Sequence, residues 1–287
     1  MKQGSLYETF IQLAALVFAF IVVQATYTTV IRPVAADIQA FQAEQQQVNE
    51  EFVPERSVFV ILKDFEQQAC ITLMLWAVFI IGMKTQQTVK QRSLLERTLV
   101  QVKEGMSVLP EDSRNYARPV QALPEQEQAY LLSRALLAGL HRFQSTRSIQ
   151  DVSVTIKDVC ETEADRMETE LTIVRYIAWA IPSIGFLGTV RGIGTALGQA
   201  YQAVSGDIVG VTVSLGVAFN STFVALVVSI FLMFLLHQLQ LLQDRLVLDT
   251  QNYCDERLVR HLQVPDTAAL EEFGSASFRK LQGNREP

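Results

Sequence analysis

Residues 171–200, LTIVRYIAWAIPSIGFLGTVRGIGTALGQA, run into residues 201–236, YQAVSGDIVGVTVSLGVAFNSTFVALVVSIFLMFLL, as one nearly continuous apolar stretch. From Tyr176 to Ala203 the only ionisable group of note is Arg191, and from Ile208 to Leu236 there is none. Each half exceeds the roughly 20 apolar residues that a bilayer-crossing helix needs. Val204-Ser205-Gly206-Asp207 reads as the turn between them, so 171–236 is expected to be a transmembrane hairpin.

Small and hydroxylated residues recur at helical spacing along both arms. Gly185, Thr189, Gly192 and Ala196 step by four, three and four, which places them on one face of the first arm. Ser214, Ala218, Thr222, Ala225 and Ser229 do the same on the second. In lipid, such ridges let helices approach closely and hydrogen-bond across the contact. Counted at about 1.5 Å per residue from Arg175 and from Val209, the Thr189 and Thr222 hydroxyls fall near mid-membrane, where a polar atom needs a partner or water.

The run Ile181-Pro182-Ser183-Ile184-Gly185-Phe186-Leu187-Gly188-Thr189-Val190-Arg191-Gly192-Ile193 resembles the P-x-L-G-L-L-G-T-V-x-G-I signature of the MotA/TolQ/ExbB ion-channel family. Pro182, the Gly185/Gly188 pair, Thr189 and Gly192 all fall in register with it. The resemblance covers roughly residues 155 to 250. Two positions depart from it. Gly216-Val217-Ala218 is followed by Phe219 where the TolQ and ExbB branch carries a glutamate, and Arg191 follows the Thr-Val pair where an apolar residue is usual. The subfamily stays unassigned. The resemblance implies a bacterial inner-membrane protein, five copies of which enclose a dimer of a single-span MotB/TolR/ExbD-like protein, with ion flow driving rotation or force.

Composition agrees with a membrane protein: 287 residues are 49% hydrophobic and only 19% charged, against about 25% for an ordinary soluble domain. The net charge of −6 does not suggest nucleic-acid binding. Cys70, Cys160 and Cys254 are too few and too scattered for a disulfide framework or a metal site. Residues 10–31 carry no charge and read as an uncleaved first span, giving a first segment of 1–31. Residues 32–68 turn polar and acidic. QQACITLMLWAVFIIGM then ends at Met83 and supplies a second, shorter span over 69–83.

Lysine and arginine set the expected orientation. The 32–68 connection holds three, the turn of the hairpin none, the 84–170 segment twelve and the 237–287 tail six. By the positive-inside rule the 84–170 segment, the tail and both termini are cytoplasmic, and 32–68 is periplasmic. Four spans with both ends inside is the MotA-like layout.

Within 84–170, Leu94, Leu95, Leu99, Val102 and Met106 have helical spacing. The PEDSRNYARP stretch (110–119) breaks it, and Leu131 to Phe143 resumes an amphipathic pattern. Residues 148–174 are expected to run as a helix into the third span, either as a charged rod or as part of a soluble bundle. A leucine stripe from Leu235 extends the fourth span to about Leu262, and Pro265 ends it.

No P-loop, H-E-x-x-H or G-x-S-x-G motif occurs, and nothing calls for enzyme chemistry, a metal or a cofactor. None of the spans carries an acid away from its ends, whereas a proton relay needs a titrating group. The resemblance supplies one: an aspartate on the partner's span, working against a hydroxyl wall of this chain. Thr189 and Thr222 are the wall residues, with Ser221, Asn220 and Ser183 as further candidates. Arg191 lies about 200° around the helix from Thr189. It is expected either to snorkel or pair with Asp207, or to place a positive charge at a subunit interface or pore mouth. Pro182 is a tolerated kink or a hinge, and Gly185, Gly188 and Gly192 are packing positions. The expected molecule is therefore an all-α, polytopic membrane protein with four transmembrane helices and helical cytoplasmic extensions. It would be an ion-channel subunit of a stator-like motor; a non-conducting membrane scaffold or receptor is the alternative.

Overall fold

A computed structural model describes residues 2–48, 57–100, 106–205 and 208–264. In chain order the helices are α1 (Lys2–Thr26), a π-helical turn (Tyr27–Ile31), α2 (Arg32–Val48), α3 (Val58–Leu62) and α4 (Phe65–Leu95). A 3-10 turn (Pro110–Asp112) precedes α5 (Ser113–Gln121), α6 (Glu125–Gln128), α7 (Leu131–Thr146) and α8 (Ile149–Glu170). The chain continues through α9 (Thr172–Gly198), α10 (Ala200–Val204), α11 (Val209–Arg257) and a closing 3-10 turn (Val259–His261). Among the described residues the one strand-like pairing is an isolated bridge between Val108 and Leu262. The fold is all-α. The stretches Tyr7–Gln42, Phe65–Ser93, Ile149–Gly198 and Val209–His261 are long and apolar enough to cross a membrane. The chain is thus a multi-pass membrane protein, as its hydropathy implies.

The chain divides into two compact units. The first takes residues Met1–Gln86 and Glu168–Leu242. Its core is apolar, with Ile80, Leu171, Ile177, Ile181, Leu232 and Leu239 fully buried. The 32–68 connection is helical over Arg32–Val48, in continuation of α1. A π turn stands just before Pro33, where the Arg32 N–H bonds back to the Tyr27 carbonyl. In a regular α-helix the proline ring would collide with the Thr29 carbonyl, and the wider turn makes room for it. The polar composition of 34–48 hides this helix from a hydropathy reading. The second span is likewise part of a longer helix, the 31-residue α4.

Polar groups tie both ends of this unit. At one end Lys84, its side chain 5% exposed, donates to Glu170 at 2.7 Å and to Glu8 at 3.2 Å. At the other, Arg32 donates to Gln68 at 2.7 Å and stacks 4.4 Å over the Phe65 ring. The chain start, the end of the second span and the start of the third therefore share one end of the unit.

The second unit takes Gln87–Met167 and Gln243–Pro287. Leu136, Leu140, Phe143, Val152, Cys160, Cys254 and Leu258 form its core. Arg134 bridges to Glu163 at 2.7 Å, and the Glu163 side chain is only 4% exposed. Two expectations are corrected here. The helix does not continue through Leu99 and Met106: α4 stops at Leu95, the Leu99 N–H donates to the Tyr253 hydroxyl at 2.9 Å, and that hydroxyl donates to the Arg97 carbonyl at 3.1 Å. An outside partner satisfies the backbone, so the helical spacing of the leucines is overridden; Val102 lies outside the described residues. The PEDSRNYARP stretch, in turn, is itself largely helical, as the 3-10 turn and α5. The 148–174 segment, expected to run as a helix into the third span, does so with one interruption: the single residue Leu171 separates α8 from α9. Pro265 and the tail beyond it lie outside the described residues.

Candidate functional site

The two ridges of the hairpin meet. A Cβ at Gly192 would stand 2.7 Å from the Ala218 Cβ and 2.8 Å from both the Ala218 nitrogen and the Ser214 carbonyl. One at Gly185 would collide with the Ala225 methyl and lie 3.1 Å from the Ser221 carbonyl. One at Gly188 would reach Ser221 Oγ at 2.7 Å and Glu66 Cγ at 3.1 Å. α9 and α11 thus approach backbone to backbone, an approach that only glycine permits. Gly194 and Gly198 have no such neighbours within 4 Å.

This close approach brings the sequence-predicted threonines together. Thr189 and Thr222 are hydrogen-bonded to each other through their hydroxyls. Thr189 Oγ1 also donates to the Ala218 carbonyl at 3.0 Å, and Thr222 Oγ1 to the Gly185 carbonyl at 3.1 Å. Each hydroxyl has one hydrogen to share among these acceptors, so the pair can exchange donors and still accept from a further group. Ser221 is buried one residue along, its hydroxyl on the Val217 carbonyl at 2.9 Å. The remaining two candidates lie outside this cluster. Ser183 is exposed and bonds back to the Trp179 carbonyl at 3.1 Å, while Asn220 is half-buried with no hydrogen bond among the described residues.

Pro182 has a structural consequence of its own. Lacking an N–H, it leaves the Ala178 carbonyl without its helical donor. Ser229 of α11 donates there instead, at 3.2 Å. Ser229→Ala should destabilise the hairpin by about 1 kcal/mol by orphaning that carbonyl. Adding Pro182→Ala, which restores the backbone donor, should recover most of the loss. Unfolding midpoints of the purified proteins in mixed detergent, read as a double-mutant cycle, check this; additive losses would dissociate the two residues.

Arg191 points to α4. Its Nη2 donates to Glu66 at 2.8 Å, with the Glu66 side chain 12% exposed. Asp207, the partner considered from sequence, lies outside the described residues. Beside Glu66, Gln67 is fully buried, and its amide nitrogen approaches Ser221 Oγ at 3.4 Å. Asp64 precedes the span, and burial raises its pKa above the ordinary carboxylate range, against the opposing charges of Lys63 and Arg191. Glu66 stands just ahead of the apolar run and Gln67 opens it, so neither carries a hydropathy signal of its own. An unpaired arginine in one span, set against acids at the start of another, is the signal that points to them.

No cluster of three or more metal-ligating side chains occurs among the described residues. A comparison with curated proteins and one with solved structures returned no match. A family model described as the MotA/TolQ/ExbB proton channel family matches residues 127–252, which take in α7, α8, the hairpin and most of α11. The in-register Pro182, Gly185, Gly188, Thr189 and Gly192 and the backbone-close hairpin they build fall inside this match: over residues 127–252 the chain is similar to the MotA/TolQ/ExbB proton channel family.

Proposed function

We propose that this protein is the ion-conducting subunit of a stator-like motor complex, working with a single-span partner that carries a titrating aspartate. Several copies, five by family resemblance, surround a dimer of that partner in a bacterial inner membrane. The 84–170 segment and the tail face the cytoplasm, where the excess of lysine and arginine falls. The observation that supports this reading best is the Thr189–Thr222 hydroxyl pair, held between the glycine face of α9 and the alanine and serine face of α11 in spans whose apolar cores contain no Asp or Glu. Such a wall can donate to a carboxylate and accept from a carboxylic acid, and so tolerate both states of a titrating group. It cannot itself titrate, so the switch must come from the partner.

The test is ion flux through the complex of this chain with its one-span partner, unplugged and reconstituted in vesicles, under proton and under sodium gradients. Thr189→Val together with Thr222→Val keeps side-chain volume and removes both hydroxyls. Flux should fall by at least about tenfold, a modest share of what positioned proton-transfer groups supply. Wild-type complex that conducts neither ion would leave a membrane scaffold as the function.

A further inference from the structure

Where α4 begins, three helices bring ionisable and amide groups to one place. Glu66 of α4 is mostly buried and accepts from Arg191 of α9, which is half-exposed. Gly188, lacking a side chain, lets both Glu66 and Ser221 of α11 pack against it. Gln67 is fully buried beside Ser221, and its Oε1 has no hydrogen-bond partner among the described residues. A buried amide oxygen left without a donor is destabilising, so such an oxygen marks a place for a hydrogen-bonding guest. Thr222, which is bonded to Thr189, follows Ser221 on α11. Polar groups of three helices are thus gathered between the half-exposed Arg191 and the hydroxyl pair, with no hydrogen bond joining Ser221 to either threonine among the described residues.

We infer that Glu66 is a proton-relay carboxylate of this chain, taking up protons at the outer mouth and passing them through water held on Gln67 to the Ser221, Thr222 and Thr189 hydroxyls. The inference rests on the channel reading and deepens it by naming the uptake group. A hydronium ion gives its proton to the Glu66 carboxylate and leaves as water. The carboxylic acid passes that proton to the water on Gln67, which gives up one of its own; each hydroxyl then accepts one proton on a lone pair and releases its own, the last to the partner's aspartate. No net charge is created in the wall. Arg191 is a positioning residue that holds the carboxylate at the mouth. The other charged groups facing this place are Asp64 and Lys63, just ahead of α4, and Arg32 of α2.

The experiment measures proton flux against outer pH for the unplugged, partner-bound complex carrying Glu66→Gln, Glu66→Asp or Arg191→Gln. Glu66→Gln should lose about a hundredfold in flux, the low end of what a positioned proton-transfer group contributes. Glu66→Asp, which keeps the titrating group, should recover most of it. Arg191→Gln should lose flux severalfold, because the carboxylate is then no longer held at the mouth. Wild-type flux and pH profile in Glu66→Gln would overturn the relay, as would an aspartate variant no better than the glutamine. If Glu66→Gln fails to assemble, wild-type flux in Arg191→Gln overturns it. Absence of flux in wild type is a different failure: the channel reading falls, and the relay with it.

Discussion

Gly185→Ala combined with Gly192→Ala should separate the arms of the hairpin, whereas Gly194→Ala combined with Gly198→Ala should leave them in place. At Gly192 the added methyl meets two backbone atoms at 2.8 Å, and at Gly185 it meets the Ala225 methyl and backbone of Ser221 and Thr222. Backbone cannot swing aside, so the helices must part. Overpacking of this kind costs about 1–3 kcal/mol per site. The two sites are seven residues apart, or about 10 Å along the helix, far enough for the losses to add. Separation would also pull Thr189 from Thr222, so stability and flux should fall together. Gly194 and Gly198 have open space within the chain, and there alanine gains up to about 1 kcal/mol of helix propensity per site. Detergent-driven unfolding of the purified chain checks both pairs. Equal losses in the two pairs would show that the close approach is not where the hairpin draws its stability.

This contrast among glycines also shows how far a sequence can be read. The helical spacing of Gly185, Thr189, Gly192 and Ala196 against Ser214, Ala218, Thr222 and Ala225 specifies a face on each arm, and a short turn leaves two such faces little choice but to meet. The same spacing separates Gly192, which is pressed against Ala218, from Gly194, which is not and lies about 200° around the helix. What spacing does not give is how closely the two backbones approach, which is fixed by three-dimensional packing. The four spans were legible because apolar runs near 20 residues have few alternatives. α2 and α5 were not, because each is polar in composition and carries a proline that reads as a break. Leu99 failed in the opposite sense: its spacing suggested helix, yet Tyr253, 154 residues away in sequence, supplies the hydrogen bond that ends it.

The least legible feature was the pairing of ionisable groups across spans. Arg191 and Glu66 are 125 residues apart, and no local pattern joins them. A basic side chain in the outer half of a span is costly without a counter-ion, roughly 2.5–3.5 kcal/mol on insertion scales. That cost says a partner or the interface must receive it, without saying which. Gly188 decides the matter here by admitting Glu66 to the same helix face as Ser221. A glycine read first as packing is thus also what brings an acid beside the hydroxyl site.

The same economy of charge governs the opposite end of the unit, where Lys84→Ala should be among the most damaging single substitutions. Lys84 is 4% exposed as a residue and is shared by Glu170 at 2.7 Å and Glu8 at 3.2 Å, so one cation ties α4 to both α1 and α8. Removing it leaves two carboxylates facing the site of a lost ammonium and a gap where its stem packed. Deleting one partner of a fully buried pair costs about 3–5 kcal/mol, but Glu8 and Glu170 are 44% and 28% exposed and can rehydrate, so the loss here falls below that range. For a chain of this size that corresponds to a fall of roughly 5 °C in the apparent unfolding midpoint. Lys84→Met with Glu8→Gln and Glu170→Gln removes the charges together while keeping volume, and should regain most of the loss, as whole-network replacements do. Thermal unfolding followed by size-exclusion chromatography distinguishes the cases. A triple variant as unstable as Lys84→Ala would mean that the lysine acts through packing of its stem and not through its charge.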